Sequence, residues 1–207
     1  KLISKLAVKA VVGAQNYTDV LSDRKLIAAF FNTLKYVAIV VPIQTFLAML
    51  IASVLNSNIK GKNTFRIIYF LPTLTSSSAL TLIFMFMFNQ EGLINMFLKV
   101  FGVQGKNWLD DVDFVLKVIM AMNIWSTVPF FMTIYLAGLQ DVPATQYEAA
   151  SIDGANAWQR FLYITVPNLR PITAFVVIMG LIGCFQVFDQ AYIVSKGTGG
   201  PGTATLT

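Results

Sequence analysis

The chain has 207 residues and a formal net charge of +5; 56% of the residues are hydrophobic, 12% are charged, and the mean hydropathy is +0.67. That balance excludes an ordinary soluble domain. Histidine is absent and Cys184 is the single cysteine, so imidazole catalysis, His-ligated metals, an internal disulfide and a zinc cluster are excluded as well. No basic stripe with interleaved aromatics appears, so the positive charge does not imply a nucleic-acid partner.

Lys1 to Lys25 mixes short apolar patches with "NYTDVLSDRK" and reads as an extramembrane lead-in, with a short amphipathic helix from about Ser22. Four long uncharged runs follow, bounded by Lys35 and Lys60, Arg66 and Glu91, Lys117 and Asp141, and Arg170 and Asp189. Each is about the length of the roughly 20 apolar residues that a helix needs to cross a hydrocarbon core of about 30 Å. The expected fold class is therefore an all-α membrane protein, a polytopic helical bundle with transmembrane helices at about 32–55, 67–88, 115–138 and 172–194. A soluble bundle would need amphipathic helices to cover these four, and the chain has too few residues left to supply them.

The linker Asn56 to Arg66 is short and free of acids and holds Lys60, Lys62 and Arg66, which the positive-inside rule assigns to the cytoplasm. Alternation then puts residues 139–171 on the same side, and 89–114 with both visible ends outside. A raw count of Lys and Arg runs the other way, so charge bias alone leaves the orientation open. In the outer loop, Leu93, Met96, Phe97 and Val100 recur at helical spacing and Trp108 suits the headgroup level, which predicts a short helix at the interface or on the outer face of the bundle. Pro42, Pro72 and Pro129 fall within or near the start of three spans, a pattern that favours a packed bundle lining a cavity.

Between the third and fourth spans lies an unusually polar stretch, "YEAASIDGANAWQRFLYITVPNLRP". Pro143 suits the first turn of a helix running from about Ala144 to Asp153, and Gly154 stands where a left-handed residue would end it. Asn156, with Gln159 three residues on, forms a capping-box pattern for a second helix, which Pro167 and Pro171 are expected to stop. Small residues at Ala149, Ala150 and Ser151 permit close approach of another surface, and Glu148 and Asp153 offer charged acceptors. The shape is that of a docking element, although an interfacial hairpin that merely joins two spans has the same outline.

The spacing here resembles the signature loop of the permease subunits of ATP-binding-cassette importers: E-A-A, three residues, G, nine residues, I, one residue, an apolar residue and P. Glu148, Ala149, Ala150, Gly154, Ile164, Val166 and Pro167 meet it without a gap, with Val166 where Leu is usual. The segments "NTLKYVAIVVP", "LNSNIKGKNTFRIIYFLP", "GLQDVPATQYEAA" and "QVFDQAYIVSKGTGGPGTAT" also resemble the sugar-permease branch, similar to maltose-type and glycerol-phosphate-type subunits. The resemblance covers essentially the whole chain.

It implies a single permease domain over residues 1–207, four spans of a probable six-helix core, in the cytoplasmic membrane of a prokaryote. It also implies that loop 139–171 is cytoplasmic and docks on an ATPase. The coupling set would be Glu148, Ala149, Ala150, Asp153, Gly154, Ile164 and Pro167. Implied partners are a second homologous permease, an ATPase dimer, an extracytoplasmic solute-binding protein, membrane lipid and a sugar substrate. The start at Lys1 without an initiator Met fits a fragment.

Polar residues inside spans usually face a bundle interior or a cavity. Asn123, Trp125 and Ser126 in the third span, and Gln186, Asp189 and Tyr192 in the fourth, are the substrate-path candidates, with interhelical bonding as the alternative. The hydroxyls from Thr73 to Ser78 read as packing residues. No catalytic residue, metal site or cofactor is expected. "GTGGPG" at 197–202 follows an apolar helix, not a strand, and no G-x-x-x-x-G-K-S/T exists, so ATP hydrolysis falls to a partner. A non-sugar importer permease, a secondary transporter using Asp189, and a membrane-embedded enzyme using Asp110, Asp111 and Asp113 are the competing readings.

Overall fold

The computed structural model describes Tyr17 and residues 20–57 and 61–195; most of the lead-in, the glycine-rich 197–202 segment and Lys60 lie outside these residues. The described residues form helices and no strands. In chain order they are α1 (Arg24–Asn56), α2 (Lys62–Phe70) running into a 3-10 turn (Leu71–Leu74), α3 (Ser77–Phe88), α4 (Leu93–Val100) and α5 (Val112–Gln140). Then follow α6 (Ala144–Ile152), α7 (Ala157–Arg160) continuing through Phe161–Thr165 and Val166–Asn168, α8 (Arg170–Phe185) and α9 (Asp189–Val194).

The predicted first span and the amphipathic helix before it are one rod. Asp23 starts it by accepting from the Lys25 N–H at 2.8 Å, and the 33 residues of α1 extend about 50 Å at 1.5 Å per residue, well beyond the hydrocarbon thickness. Its buried side chains recur every three or four residues, from Ala29 through Thr33, Val37, Val41, Thr45 and Ala48 to Ala52 and Leu55. That seam packs along α5. The two helices run parallel: Tyr36 and Val40 cluster with Leu116 and Ile119, and Ala48 and Ala52 with Met132 and Tyr135. α8 runs antiparallel to both, with Val176 in the second cluster and Cys184 in the first.

A polar belt separates the two apolar clusters. Gln44 is buried with its Oε1 2.9 Å from the Thr127 hydroxyl, which also lies 2.8 Å from the Asn123 carbonyl. Gly180 of α8 faces this point; a Cβ there would come within 2.5 Å of Gln44 Nε2.

The opposite faces of the spans are apolar and exposed. Phe31, Phe46, Phe86, Phe175 and Ile182 are all exposed. Around a water-soluble domain such a surface would drive aggregation, whereas hydrocarbon or a partner helix accepts it. Among the described residues, four helical segments are long and apolar enough to cross a membrane: Arg24–Asn56, Ser77–Val100, Val112–Gln140 and Arg170–Val194.

Three boundaries differ from those expected. The predicted 67–88 span is not one helix, because Pro72 removes a backbone donor and the chain turns through the 3-10 segment. Thr73 and Thr75 donate to the Phe70 and Leu71 carbonyls at 2.7 and 3.3 Å, and Ser76 recaps α3 through the Ala79 N–H. The predicted 172–194 span breaks at Gln186–Phe188, between α8 and α9. Pro167 and Pro171 do not stop the preceding helix. Pro171 sits in the first turn of α8, where its missing N–H costs nothing, Pro167 lies within a continuing helix just after its widened turn, and the discontinuity falls at Leu169, with φ −88 and ψ 5.

The helix expected in the outer loop forms as α4, and it turns its apolar side outward, as the interfacial of the two readings expects. Leu93, Met96, Phe97 and Val100 are exposed and Asn95 is fully buried. Asn95 Nδ2 lies 2.8 to 3.1 Å from the carbonyls of Asn89, Gln90 and Lys106, and its Oδ1 accepts from Trp108 Nε1 at 2.8 Å. Trp108 is thus pinned into the loop. Beside it, the Lys106 ammonium lies 2.8 Å from Asp111 Oδ2 and 3.5 Å from the centre of the Phe114 ring. The hydrogen bond from Lys106, with a second from the Asp113 N–H, holds the Asp111 carboxyl below the usual carboxylate range. Asp110 accepts from Asn107, so two of the three clustered acids are engaged within the loop.

Replacing Asn95 strands several loop groups at once. Asn95→Ala is expected to cost about 1–3 kcal/mol, the price of leaving a buried hydrogen-bonding group unmatched. Thermal unfolding of the purified protein, together with a red shift of Trp108 emission, checks it.

Candidate functional site

The polar stretch folds as a helical hairpin at one end of the bundle. α6 ends in a full left-handed cap: Gly154 has φ +78, its N–H reaches the Ser151 carbonyl at 3.2 Å, and the Ala155 N–H reaches the Ala150 carbonyl at 2.9 Å. A Cβ on Gly154 would meet nothing within 4 Å, so the backbone angle and not space demands glycine. Asn156 opens α7 with the expected capping box: its Oδ1 accepts from the Gln159 N–H at 2.9 Å, while Gln159 Oε1 accepts from the Asn156 N–H at 2.8 Å.

Beyond Arg160 the helix widens into a π turn, in which the Val166 N–H bonds to the Phe161 carbonyl five residues back. Pro167 follows directly; its ring would press on the carbonyl four residues earlier, and widening relieves that contact. Ile164 and Pro167 sit half-buried along this stretch.

No residue of α6 is buried. Glu148, Ala149, Asp153 and Gly154 are exposed, Ala150 is half-buried, and the Ile152 side chain stands 87% exposed at the tip. A nine-residue helix without a core is marginal alone. Three side-chain bonds hold it to the second arm: Tyr147 Oη and Thr165 Oγ1 lie 2.9 Å apart, Asn168 Nδ2 donates to Gln146 Oε1 at 2.9 Å, and Arg160 Nη1 donates to Ser151 Oγ at 2.9 Å. The sequence reading missed these ties, because nothing in the spacing says which polar residues of two adjacent helices meet. At its root the hairpin bounds a cavity of about 350 Å³ with Ser53 and Asn56 of α1 and Leu139 of α5, and Phe161 of the second arm packs in the apolar cluster with Leu55 and Leu139.

The substrate-path candidates are not brought together. Ser126 lines a cavity of about 290 Å³ with Thr73, Thr75, Ser77, Thr127 and Gln190. Asn123 is buried in the α1–α5 seam, with its Oδ1 unpartnered. Trp125 is partly exposed, 5.5 Å between ring centres from Phe84. Gln186 and Asp189 are exposed at the α8–α9 break, and Tyr192 is half-exposed, stacked on Phe188.

Of the hydroxyl residues expected to serve packing, Thr73, Thr75 and Ser77 line this cavity, together with Gln190, which the sequence did not single out. Thr73, Thr75 and Ser126 spend their protons on backbone carbonyls of their own segments. Their remaining lone pairs can accept from a guest; Gln190 also lines the cavity, with its Oε1 buried and unpartnered. It is closed on one side by the Phe130 ring.

Residues 44–206 match the family model "Binding-protein-dependent transport system inner membrane component". The chain is 35% identical over 198 residues to the lactose transport system permease protein LacF of Rhizobium radiobacter, and 36% identical over 200 residues to the trehalose/maltose transport system permease protein MalF of Thermococcus litoralis. These alignments take in 94% and 96% of this chain, which spans 66% and 67% of the two relatives. The fold is shared with a solved bacterial ABC transporter involved in import of the acidic polysaccharide alginate, at a TM-score of 0.84 and 22% identity over 96% of this chain and 71% of that one.

Since only the left-handed angle requires Gly154, Gly154→Ala is expected to raise hydrogen exchange of the Ala155 amide by ~5- to 30-fold, from a strain of about 1–2 kcal/mol, with Gly154→Asn closer to wild type. Exchange measured by mass spectrometry checks both.

Proposed function

Because the chain belongs to the binding-protein-dependent transport system inner membrane component family, we propose that it forms half of a translocation path for a sugar or related carbohydrate, driven by a separate ATPase that grips the hairpin. The observation that carries this reading is a helix with no buried residue, bearing Glu148, Ala149 and Ala150 in the family's loop pattern, held out from the membrane end of the bundle. A hairpin that merely joined two spans would have no need to hold a coreless helix in place with three side-chain bonds.

The geometry suggests how movement passes inward. Glu148 and Asp153 offer carboxylates to basic or amide donors of an ATPase cleft, and the small faces of Ala149 and Ala150 allow close approach. The ties from Tyr147 to Thr165 and from Gln146 to Asn168 make the two arms move as one body. That body continues into α8 through the break at Leu169 and touches the ends of α1 and α5 at its root. Closure of an ATPase dimer on ATP would thus turn the spans that bound the polar cavity.

The cavity supports a carbohydrate as cargo. Its oxygen acceptors match sugar hydroxyl donors, and the Phe130 ring offers an apolar face to the C–H side of a pyranose. At about 290 Å³ it is near the lower bound of small-molecule sites, roughly 300–1,000 Å³, and suits one sugar ring, with the rest of the path supplied by a second, homologous permease. A solute-binding protein would deliver cargo at the face opposite the hairpin. The relatives named for lactose and for trehalose/maltose support a sugar over other solutes.

Reconstitution with a second permease, the ATPase dimer and the binding protein tests the reading, with a panel of oligosaccharides and polyols scored by stimulation of ATP hydrolysis. Glu148→Ala is expected to cut the stimulated rate by ~10- to 100-fold, as for loss of a charge-assisted bond of about 1.5–3 kcal/mol, while membrane insertion is unchanged. Full stimulation in both Glu148→Ala and Gly154→Pro would sink the coupling role. Gln190→Leu removes one acceptor from the cavity and is expected to raise the sugar concentration for half-maximal transport by ~10-fold, with the ATPase still attached. An unchanged sugar dependence would remove Gln190 from the path.

A further inference from the structure

A second cavity, unrelated to the hairpin and the polar path, opens on the lipid-facing side of the bundle at the end where the hairpin lies. The last turns of α1 supply Leu50, Ile51, Val54 and Leu55; the start of α2 supplies Phe65, with Lys62 at the rim. Its volume is about 290 Å³ and its walls are almost wholly apolar. Val54 and Phe65 remain about half exposed, so the groove is open to the surroundings. The Phe65 ring stacks on Tyr69 with centres 5.4 Å apart, which fixes one wall.

Two features decide what fits. The groove is continuous with the exposed apolar face of a helix long enough to cross the membrane, so its natural neighbour is an acyl chain. Its only charged lining residue is a cation, and among the described residues Lys62 makes no ion pair. The whole linker from Asn56 to Arg66 carries no acid that could compensate it. An apolar slot with an uncompensated ammonium at its mouth, placed where a span meets the headgroup layer, is complementary to a phospholipid with an anionic headgroup.

We propose that this groove is a binding site for an anionic phospholipid, with one acyl chain against Leu50, Ile51, Val54 and Phe65 and the headgroup phosphate on Lys62 Nζ. A neutral lipid fills the slot but leaves the ammonium without a counter-charge. A free phosphate finds only one lysine and no wall. The site does not depend on the transport reading, and its test has a readout independent of ATP hydrolysis.

The test uses the assembled complex with Phe65→Trp, which puts an indole in the groove wall, in vesicles containing lipids brominated on the acyl chain. With brominated phosphatidylglycerol in a phosphatidylcholine background, quenching of this indole is expected to reach its half-maximum at a several-fold lower mole fraction than with brominated phosphatidylcholine. Adding Lys62→Gln should erase the difference between the two lipids. Val54→Trp instead fills the slot and should lower retention of phosphatidylglycerol seen by native mass spectrometry of the Lys62 complex.

Three results overturn the proposal. One is equal quenching by the two lipids. Another is a preference for phosphatidylglycerol that survives Lys62→Gln. The third is quenching relieved as well by soluble glycerol phosphate as by unlabelled phosphatidylglycerol, which would make the site one for a free anion. If Val54→Trp or Phe65→Trp fails to assemble, retention of phosphatidylglycerol by Lys62→Gln alone against wild type decides the matter: unchanged retention overturns the site, and a several-fold loss supports it.

Discussion

The parallel seam between α1 and α5 is the constraint on which the rest of the molecule depends. Lipid tails are as apolar as leucine, so packing and hydrogen bonds, rather than the hydrophobic effect, must hold two spans together. The seam meets that demand with small side chains at Ala29, Thr33, Ala48 and Ala52, which let the helices approach, and with a hydrogen bond from Thr127 to the buried Gln44. Sliding one helix by a turn, about 5.4 Å, would part these two groups and leave a polar amide in hydrocarbon. Gln44 thus sets register as well as adhesion. Gly180 completes the arrangement, since a side chain there would displace the Gln44 amide from its place. Once α1, α5 and α8 are fixed, the ends that carry the hairpin and the walls of the polar cavity are fixed too.

The sequence revealed the architecture far better than the contacts. Charge-free runs located the four membrane-crossing regions because exclusion of charge is a bulk property of a whole segment. The hairpin was readable almost residue by residue, since Gly154, Asn156 and Gln159 act through backbone groups within a few positions of themselves, and local chemistry does not wait for tertiary structure. Pro72, Pro167 and Pro171 show where that reasoning ends. Each was read as a break or stop from its missing donor, yet only Pro72 lies at a break: Pro171 sits in a first turn that needs no donor, and Pro167 is accommodated inside a helix by the π turn before it. The difference lies in phase relative to the helix start, and phase depends on the preceding turns.

Side-chain partners across helices were not legible. The apolar residues of the outer-loop helix are exposed, as an interfacial helix requires, but nothing in the spacing showed that Asn95 between them would be buried as the polar anchor of the loop. A rule that seeks the apolar face of a helix assumes that the core is apolar and the surroundings are water; at a membrane surface that assumption reverses. The same reversal explains why Gln44 escaped notice. A single glutamine in an apolar span announces nothing until Thr127 and Gly180 are seen around it.

The hairpin follows from the same opposition of environments. Under the proposed docking role, a lever that enters another protein cannot be built on a hydrophobic core, because a core would bury the surface to be offered. α6 therefore has no buried residue, and its rigidity comes from Tyr147, Gln146 and Ser151, whose bonds to Thr165, Asn168 and Arg160 lie along the face toward its neighbouring arm. Glu148, Asp153 and the small face of Ala149 are left free on the other side. Polar ties of this kind are weak one by one, yet they act over a span of only nine residues. Polarity in this stretch is thus what allows one surface to be held firmly and the other to be given away.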